Sequence, residues 1–174
     1  MKIITGKTGT NHVASADDRA LNAGIFGTDN YVLNVGSKFA ATIETSNNIV
    51  IADGELLING THARIPHGEP ETVIIENGTT GYNRIDLIVA RYTLASGIES
   101  VESFVIKGAA TSGTPTQPSY TQGNVLSGVE VADMPLYAVQ LSGVNIVSIT
   151  PLFTVATGLD DVYRKNEVEK RVRL

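Results

Sequence analysis

A chain of 174 residues, 42% hydrophobic and 18% charged, has the length and composition of one globular domain of roughly 100–200 residues, enough to bury a substantial core. Cysteine is absent, which excludes disulfides, thiol catalysis, iron–sulfur clusters and Cys-ligated zinc. The formal charge is −5, with Lys and Arg scattered until the last eleven positions, so there is no broad cationic surface for phosphates and nucleic acid is not an expected partner.

The opening Met1-Lys2-Ile3-Ile4 is an apolar arm that runs straight into Thr5-Gly6-Lys7-Thr8-Gly9. This does not read as a signal peptide, and no apolar stretch approaches the roughly 20 residues that span a bilayer. Folding in the cytoplasm without membrane insertion is therefore expected. Gly6, Lys7 and Gly9 hint at a phosphate loop, but the glycine frame is too short and stands in an irregular arm.

Ser15-Ala16-Asp17-Asp18 begins a short helix, with Ser15 as the capping hydroxyl, two carboxylates at the positive end of the helix dipole and Gly24 as the closing residue. His12, Ser15, Asp17 and Asp18 are hydrolase ingredients. A hydroxyl that caps backbone amides is no free nucleophile, however, and no Gly-x-Ser-x-Gly elbow is present.

From Tyr31 onward the pattern has period two, β-branched residues and frequent turn dipeptides. Strands are expected at 31–35 and 38–44, at 49–51 after Asn47-Asn48, and at 55–58 after Asp53-Gly54. Asn59-Gly60 then makes a type I′ hairpin with 61–65. His62 and His67 have no third ligand at metal spacing and read as surface or loop histidines. The Asp and Asn turns read as turn chemistry, although their oxygens suit calcium.

A strand at 72–76 precedes two longer ones, 84–93 and 98–107, around Ala95-Ser96-Gly97. The first is charged at its ends and apolar in the middle, the pattern of a strand buried on both faces. Arg84 and Asp86 share one side, where a structural ion pair is expected. Residues 109–124, with two prolines and little apolar bulk, form a long loop. Strands resume at 125–131, 136–141 and 144–149, and an extended piece lies between Pro151 and Gly158.

Residues 159–174 are charge-dense, with acids first and bases last, as a terminal helix prefers. The expectation is a mainly β fold of sandwich or distorted-barrel type with a short N-terminal helix and a C-terminal helix. Residues 1–158 form one β-rich domain and 159–174 a helical tail. Adjacent acid pairs such as Asp17-Asp18 and Asp160-Asp161 diverge on a helix and do not converge on a scissile bond. No catalytic constellation, metal site or cofactor motif is read, so the chain is expected not to be an enzyme.

Six stretches carry a resemblance: 12–18, 24–33, Asp53 to Gly60, Asn83-Arg84-Ile85-Asp86-Leu87-Ile88-Val89-Ala90-Arg91-Tyr92, Val105-Ile106-Lys107-Gly108 and Asp133-Met134-Pro135-Leu136-Tyr137. Over roughly residues 10–157 the chain resembles small tail and baseplate-associated proteins of phages and prophages of Gram-positive gut bacteria. The resemblance implies a virion-tail location and a structural role as an oligomeric adaptor or baseplate appendage, with other tail or baseplate proteins as partners. Longer relatives of this kind carry a fibre or receptor-binding part, and none is expected within these 174 residues. The competing class is a carbohydrate-binding module for a cell-surface glycan, with Tyr82, Tyr92 or Tyr120 stacking on sugar rings.

Attachment to a tail implies rotational symmetry, and a cyclic homo-oligomer, with a trimer favoured, is expected. Ile3 and Ile4 in the arm and Val168 and Val172 in the terminal segment are the expected contacts. Residues 159–174 hold five basic and four acidic side chains, slightly cationic against an acidic body.

Overall fold

A computed structural model describes residues 3–5, 9, 13–158 and 161–164. The fold is mainly β: packed sheets, one of them curled into a half-barrel, with a short helix towards each end. No helix among the described residues is long and apolar enough to cross a membrane.

Helix α1 spans Ser15–Phe26. Its cap differs from the expected one. Ala14 is the N-cap, and its amide donates to Asp17 Oδ2 at 2.8 Å. Ser15 is already helical, and its hydroxyl reaches Glu99 instead. The helix also runs through Gly24 and closes at Gly27, whose φ is +98°. Propensity alone does not stop a helix at a single glycine when flanking residues continue the pattern.

Among the described residues ten strands follow in three antiparallel sheets. The first sheet holds β1 (Asn30–Val32), β4 (Gly54–Ile58) and β5 (Thr61–Ile65) in the order β1-β4-β5. The second holds β2 (Ala41–Ile43), β3 (Asn48–Ile51) and β6 (Glu71–Ile74) in the order β2-β3-β6. The third holds β7 (Asn83–Ala95), β8 (Ile98–Ile106), β9 (Val131–Ser142) and β10 (Asn145–Pro151) in the order β10-β9-β7-β8.

The turns explain the pairing. Asn59 (φ +48°) and Gly60 (φ +86°) join β4 to β5, and Ser96 (φ +51°) and Gly97 (φ +79°) join β7 to β8. Positive φ at both central residues matches the twist of the flanking strands, which is the type I′ solution. The expected strand at 38–44 is shorter than the pattern suggests, because Lys38 and Phe39 both take positive φ. That kink buries the Phe39 ring, and a Cβ on Gly54 would fall 2.6 Å from it. Tyr137 Oη closes the corner by donating to the Phe39 carbonyl at 2.6 Å.

The expected strand at 125–131 is also corrected. Val125–Ser127 is a 3-10 turn, capped by the Asn124 side chain and ended by left-handed Gly128, and β9 begins only at Val131. Past β10, residues 152–158 run extended beside β1, with Val32 bridging Val155 in parallel. Residues 161–164 are helical. The rest of the expected terminal helix, with Val168 and Val172, lies outside the described residues.

One core joins the sheets, from Val32, Leu56 and Ile58 through Ile49 and Ile51 to Ile88, Leu136 and Val139. Within it, Arg84 and Asp86 form the expected ion pair through two contacts of 2.8 and 2.9 Å, both side chains buried. Arg84 also donates to the Glu76 carbonyl, and Asp86 accepts from the Gly108 amide at 2.8 Å.

Candidate functional site

A cleft of about 580 Å³ lies where α1 crosses the tip of the β4–β5 hairpin and the start of β8. That size lies within the usual range for small-molecule sites. Turn chemistry shapes one wall. A Cβ on Gly60 would collide with the Arg19 carbonyl of α1, so the glycine lets hairpin and helix approach backbone to backbone. Asn22 Nδ2 seals the contact by donating to the Gly60 carbonyl at 3.0 Å.

Glu99 is the hub of the cleft. Its carboxylate accepts from Tyr92 Oη at 2.5 Å, Arg19 Nη2 at 2.5 Å and Ser15 Oγ at 3.0 Å. The Tyr92 hydroxyl, with Arg19 and Ser15, holds the Glu99 carboxyl below its ordinary value against the opposing effect of burial. Burial, reinforced by Glu99, raises the Tyr92 phenol. The Arg19 guanidinium lies 5.9 Å from the centre of the Tyr92 ring, a cation–π distance.

Two polar atoms of the cleft lining, Arg19 Nε and Thr61 Oγ1, are buried without a hydrogen-bond partner. Both atoms are closed off from the cleft by the packing around them, so each carries the cost of an unpaired buried polar group. At the rim His62 Nε2 sits 2.6 Å from Glu55 Oε2. A carboxylate held ionised is a weak base, so Glu99 does little to activate the Ser15 hydroxyl. The cleft offers binding groups, mixed donors and acceptors beside the apolar Leu21 and Val101.

The three tyrosines considered for glycan stacking do not converge. Tyr92 is only 1% exposed, so its ring has no face for a sugar, and only its hydroxyl reaches the cleft network. Tyr82 is 46% exposed just before β7. Tyr120 is half-buried beside Thr121, whose amide donates to Asp133 Oδ2. Asp133 faces Arg91 across the β7–β9 ladder, and eight strand residues separate Arg91 from Asn83, about 27 Å. Tyr82 and Tyr120 therefore stand near opposite ends of β7.

His67 Nδ1 contacts Asp53 Oδ2 at 3.1 Å, and hydrogen bonds from Ser37 and His67 lower the Asp53 carboxyl. Among the described residues no group of three His, Asp or Glu side chains is placed to hold a metal ion. The sequence read Ser15 as a capping hydroxyl rather than a cleft residue, and it missed Arg19, Thr61 and Glu99. Glu99 is 80 residues from Arg19, and nothing local marks the pair.

A second concavity, an open groove of about 540 Å³, runs between β6 and β8. Of the arm residues, Ile3 is 60% exposed and Ile4 half-buried. No protein-family model matches the chain, and no curated protein matches it.

Proposed function

We propose that this chain is a non-catalytic structural component of a phage or prophage tail, working as a homo-oligomeric adaptor or baseplate appendage. The observation that carries the assembly reading is α1. It has no buried residue, and Leu21 and Ile25, four apart and so on one face, are 62% and 50% exposed. An apolar helix face open to water is a docking surface rather than a finished exterior. The tail location rests on the resemblance carried by 83–92 and its neighbouring segments. A ring such as a trimer suits an adaptor that must match the symmetry of a tail.

Light scattering on the full chain tests the assembly reading, with a defined oligomer at micromolar concentration as the expected result and a monomer as the overturning one. Co-sedimentation with purified tail particles tests the location. Absence from particles that otherwise assemble normally would overturn it.

The cleft favours one second reading, a site for a neutral, hydroxyl-rich ligand such as a sugar. The exposed Ser15, Asp18 and His62 line the cleft beside the apolar Leu21 and Val101, a mixture of polar and apolar groups that suits a polyol. A glycan array in which selective binding disappears in His62→Ala supports that reading, and an array with no selective binding rejects it.

A further inference from the structure

Two asparagines of the chain precede glycine, Asn59 and Asn77, and the fold treats them differently. Asn59 is 9% exposed, and both ends of its carboxamide are held. Its Nδ2 donates to the Thr28 carbonyl at 2.8 Å, and its Oδ1 accepts from the Val125 amide at 3.1 Å. Asn77 lies between β6 and β7, exposed and outside any helix or strand. Among the described residues, neither its carboxamide nor the Gly78 amide that follows it makes a hydrogen bond.

Packing fixes the identity of the neighbour. A Cβ on Gly78 would collide with the Gly143 carbonyl, so the fold demands glycine at this position. With no side chain beside it, the Gly78 nitrogen is the amide least shielded from an adjacent electrophile. Asparagine is among the thermolabile residues because its carboxamide carbon is such an electrophile.

We propose that Asn77 is a site of spontaneous covalent modification, deamidating through the Gly78 nitrogen, and that Asn59 is protected from the same reaction. The Gly78 nitrogen gives its proton to solvent base and attacks Asn77 Cγ. The new C–N bond closes a succinimide ring, the Cγ–Nδ2 bond breaks and ammonia leaves. Water then opens the ring: cleavage at Cγ gives aspartate, and cleavage at the main-chain carbonyl gives isoaspartate. One water enters for each ammonia lost, and a carboxylate is gained. The segment is anchored around the reacting bond, because the Glu76 carbonyl accepts from the buried Arg84 and the Tyr82 amide donates to the Thr79 carbonyl at 3.0 Å. Isoaspartate routes the backbone through Cβ and Cγ, one bond or about 1.5 Å longer. That added length loosens the hold of Glu76 on Arg84, the partner of Asp86, whereas aspartate keeps the backbone path unchanged.

The test is to age the folded full-length chain at mildly alkaline pH, digest it with trypsin in mild acid and map the peptides by mass spectrometry. Electron-transfer fragmentation locates the modified residue and tells aspartate from isoaspartate. Cleavage after Lys38, Arg64 and Arg84 places Asn59 and Asn77 in separate peptides. Asn77 is expected to convert at least tenfold faster than Asn59 in the folded chain, and the two rates are expected to converge in urea, where the contacts that hold Asn59 are gone. Equal rates in the folded chain overturn the proposal, and so does an Asn77 that reacts in urea but not in the folded chain. The isoaspartyl form, enriched by ion exchange on its added charge, should unfold at a lower urea concentration than Asn77→Asp, which reproduces the other product. An equal midpoint overturns the effect on the Arg84 anchor.

Discussion

At the scale of single residues, the buried charges among the described residues, Arg84, Asp86 and Asp133, are each compensated by geometry. Asp86 contacts Arg84 twice and also accepts the Gly108 amide, while Arg84 reaches the Glu76 carbonyl. Removing one partner strands the other, so Asp86→Ala is expected to cost about 3–5 kcal/mol, read by urea denaturation. Replacing both with apolar residues of similar volume costs much less, because no charge is then left buried. Glu99 makes a different prediction, in pH. Its folded carboxyl titrates below its ordinary 4.5, so its stabilising contribution is complete above the unfolded value and is lost as pH falls through the folded one. Thermal unfolding between pH 3 and pH 6 should therefore show an acid-side loss that is smaller in Glu99→Gln. In that variant Arg19 loses its carboxylate partner at every pH, so stability at pH 7 falls towards the acid value of the wild type.

At the scale of elements, the long loop shows how side chains replace a ladder. Residues 109–124 contain no strand, yet they are fixed to the sheet at intervals. Asn83 and Thr111 exchange backbone bonds, the Thr121 amide donates to Asp133 Oδ2 at 2.9 Å, and the Val125 amide donates to Asn59 Oδ1 at 3.1 Å. Asp133 is itself oriented by two contacts from Arg91, at 2.7 and 2.9 Å, which also raise the Arg91 guanidinium pKa. Asp133→Ala should raise hydrogen exchange around 119–123 at least tenfold while β4 and β5 keep their protection; unchanged exchange at 119–123 would show that the loop does not depend on this anchor. The loop was legible in the sequence from its two prolines, and its anchors were not, because Asp133 and Asn59 are ordinary turn or strand residues until the chain folds. The same division holds elsewhere. Asn59-Gly60 was readable because a type I′ turn is decided by two adjacent residues. The shortened strand at 41–43 was not, since positive φ at Lys38 and Phe39 is imposed by burying the Phe39 ring, a tertiary effect that overrides local propensity. In 125–131 the alternating valines suggest a strand, but the Asn124 cap and Gly128 settle the backbone as a 3-10 turn first.

At the scale of the whole molecule, stability and association are carried by different surfaces, and this separates them experimentally. The core that joins the sheets excludes α1, which is held by polar contacts from Ser15 and Arg19 to Glu99 and from Asn22 to Gly60. Leu21 and Ile25 contribute little to folding because both remain open to water, and exposed substitutions away from special features usually change stability by no more than about 0.5 kcal/mol. In an assembly that covers them, each would add about 1.5–3 kcal/mol on burial, or roughly ten- to a hundredfold in the dissociation constant. Leu21→Lys and Ile25→Lys should therefore leave the urea midpoint of the monomer nearly unchanged while weakening association by at least tenfold each. Salt adds a second criterion. An apolar α1 interface strengthens in sulfate, so light scattering across a sulfate series should show the α1 variants losing the gain that sulfate gives the wild type. If the α1 substitutions lowered the unfolding midpoint as much as they lowered association, the helix would belong to the folded core, and the assembly reading built on its open face would fail.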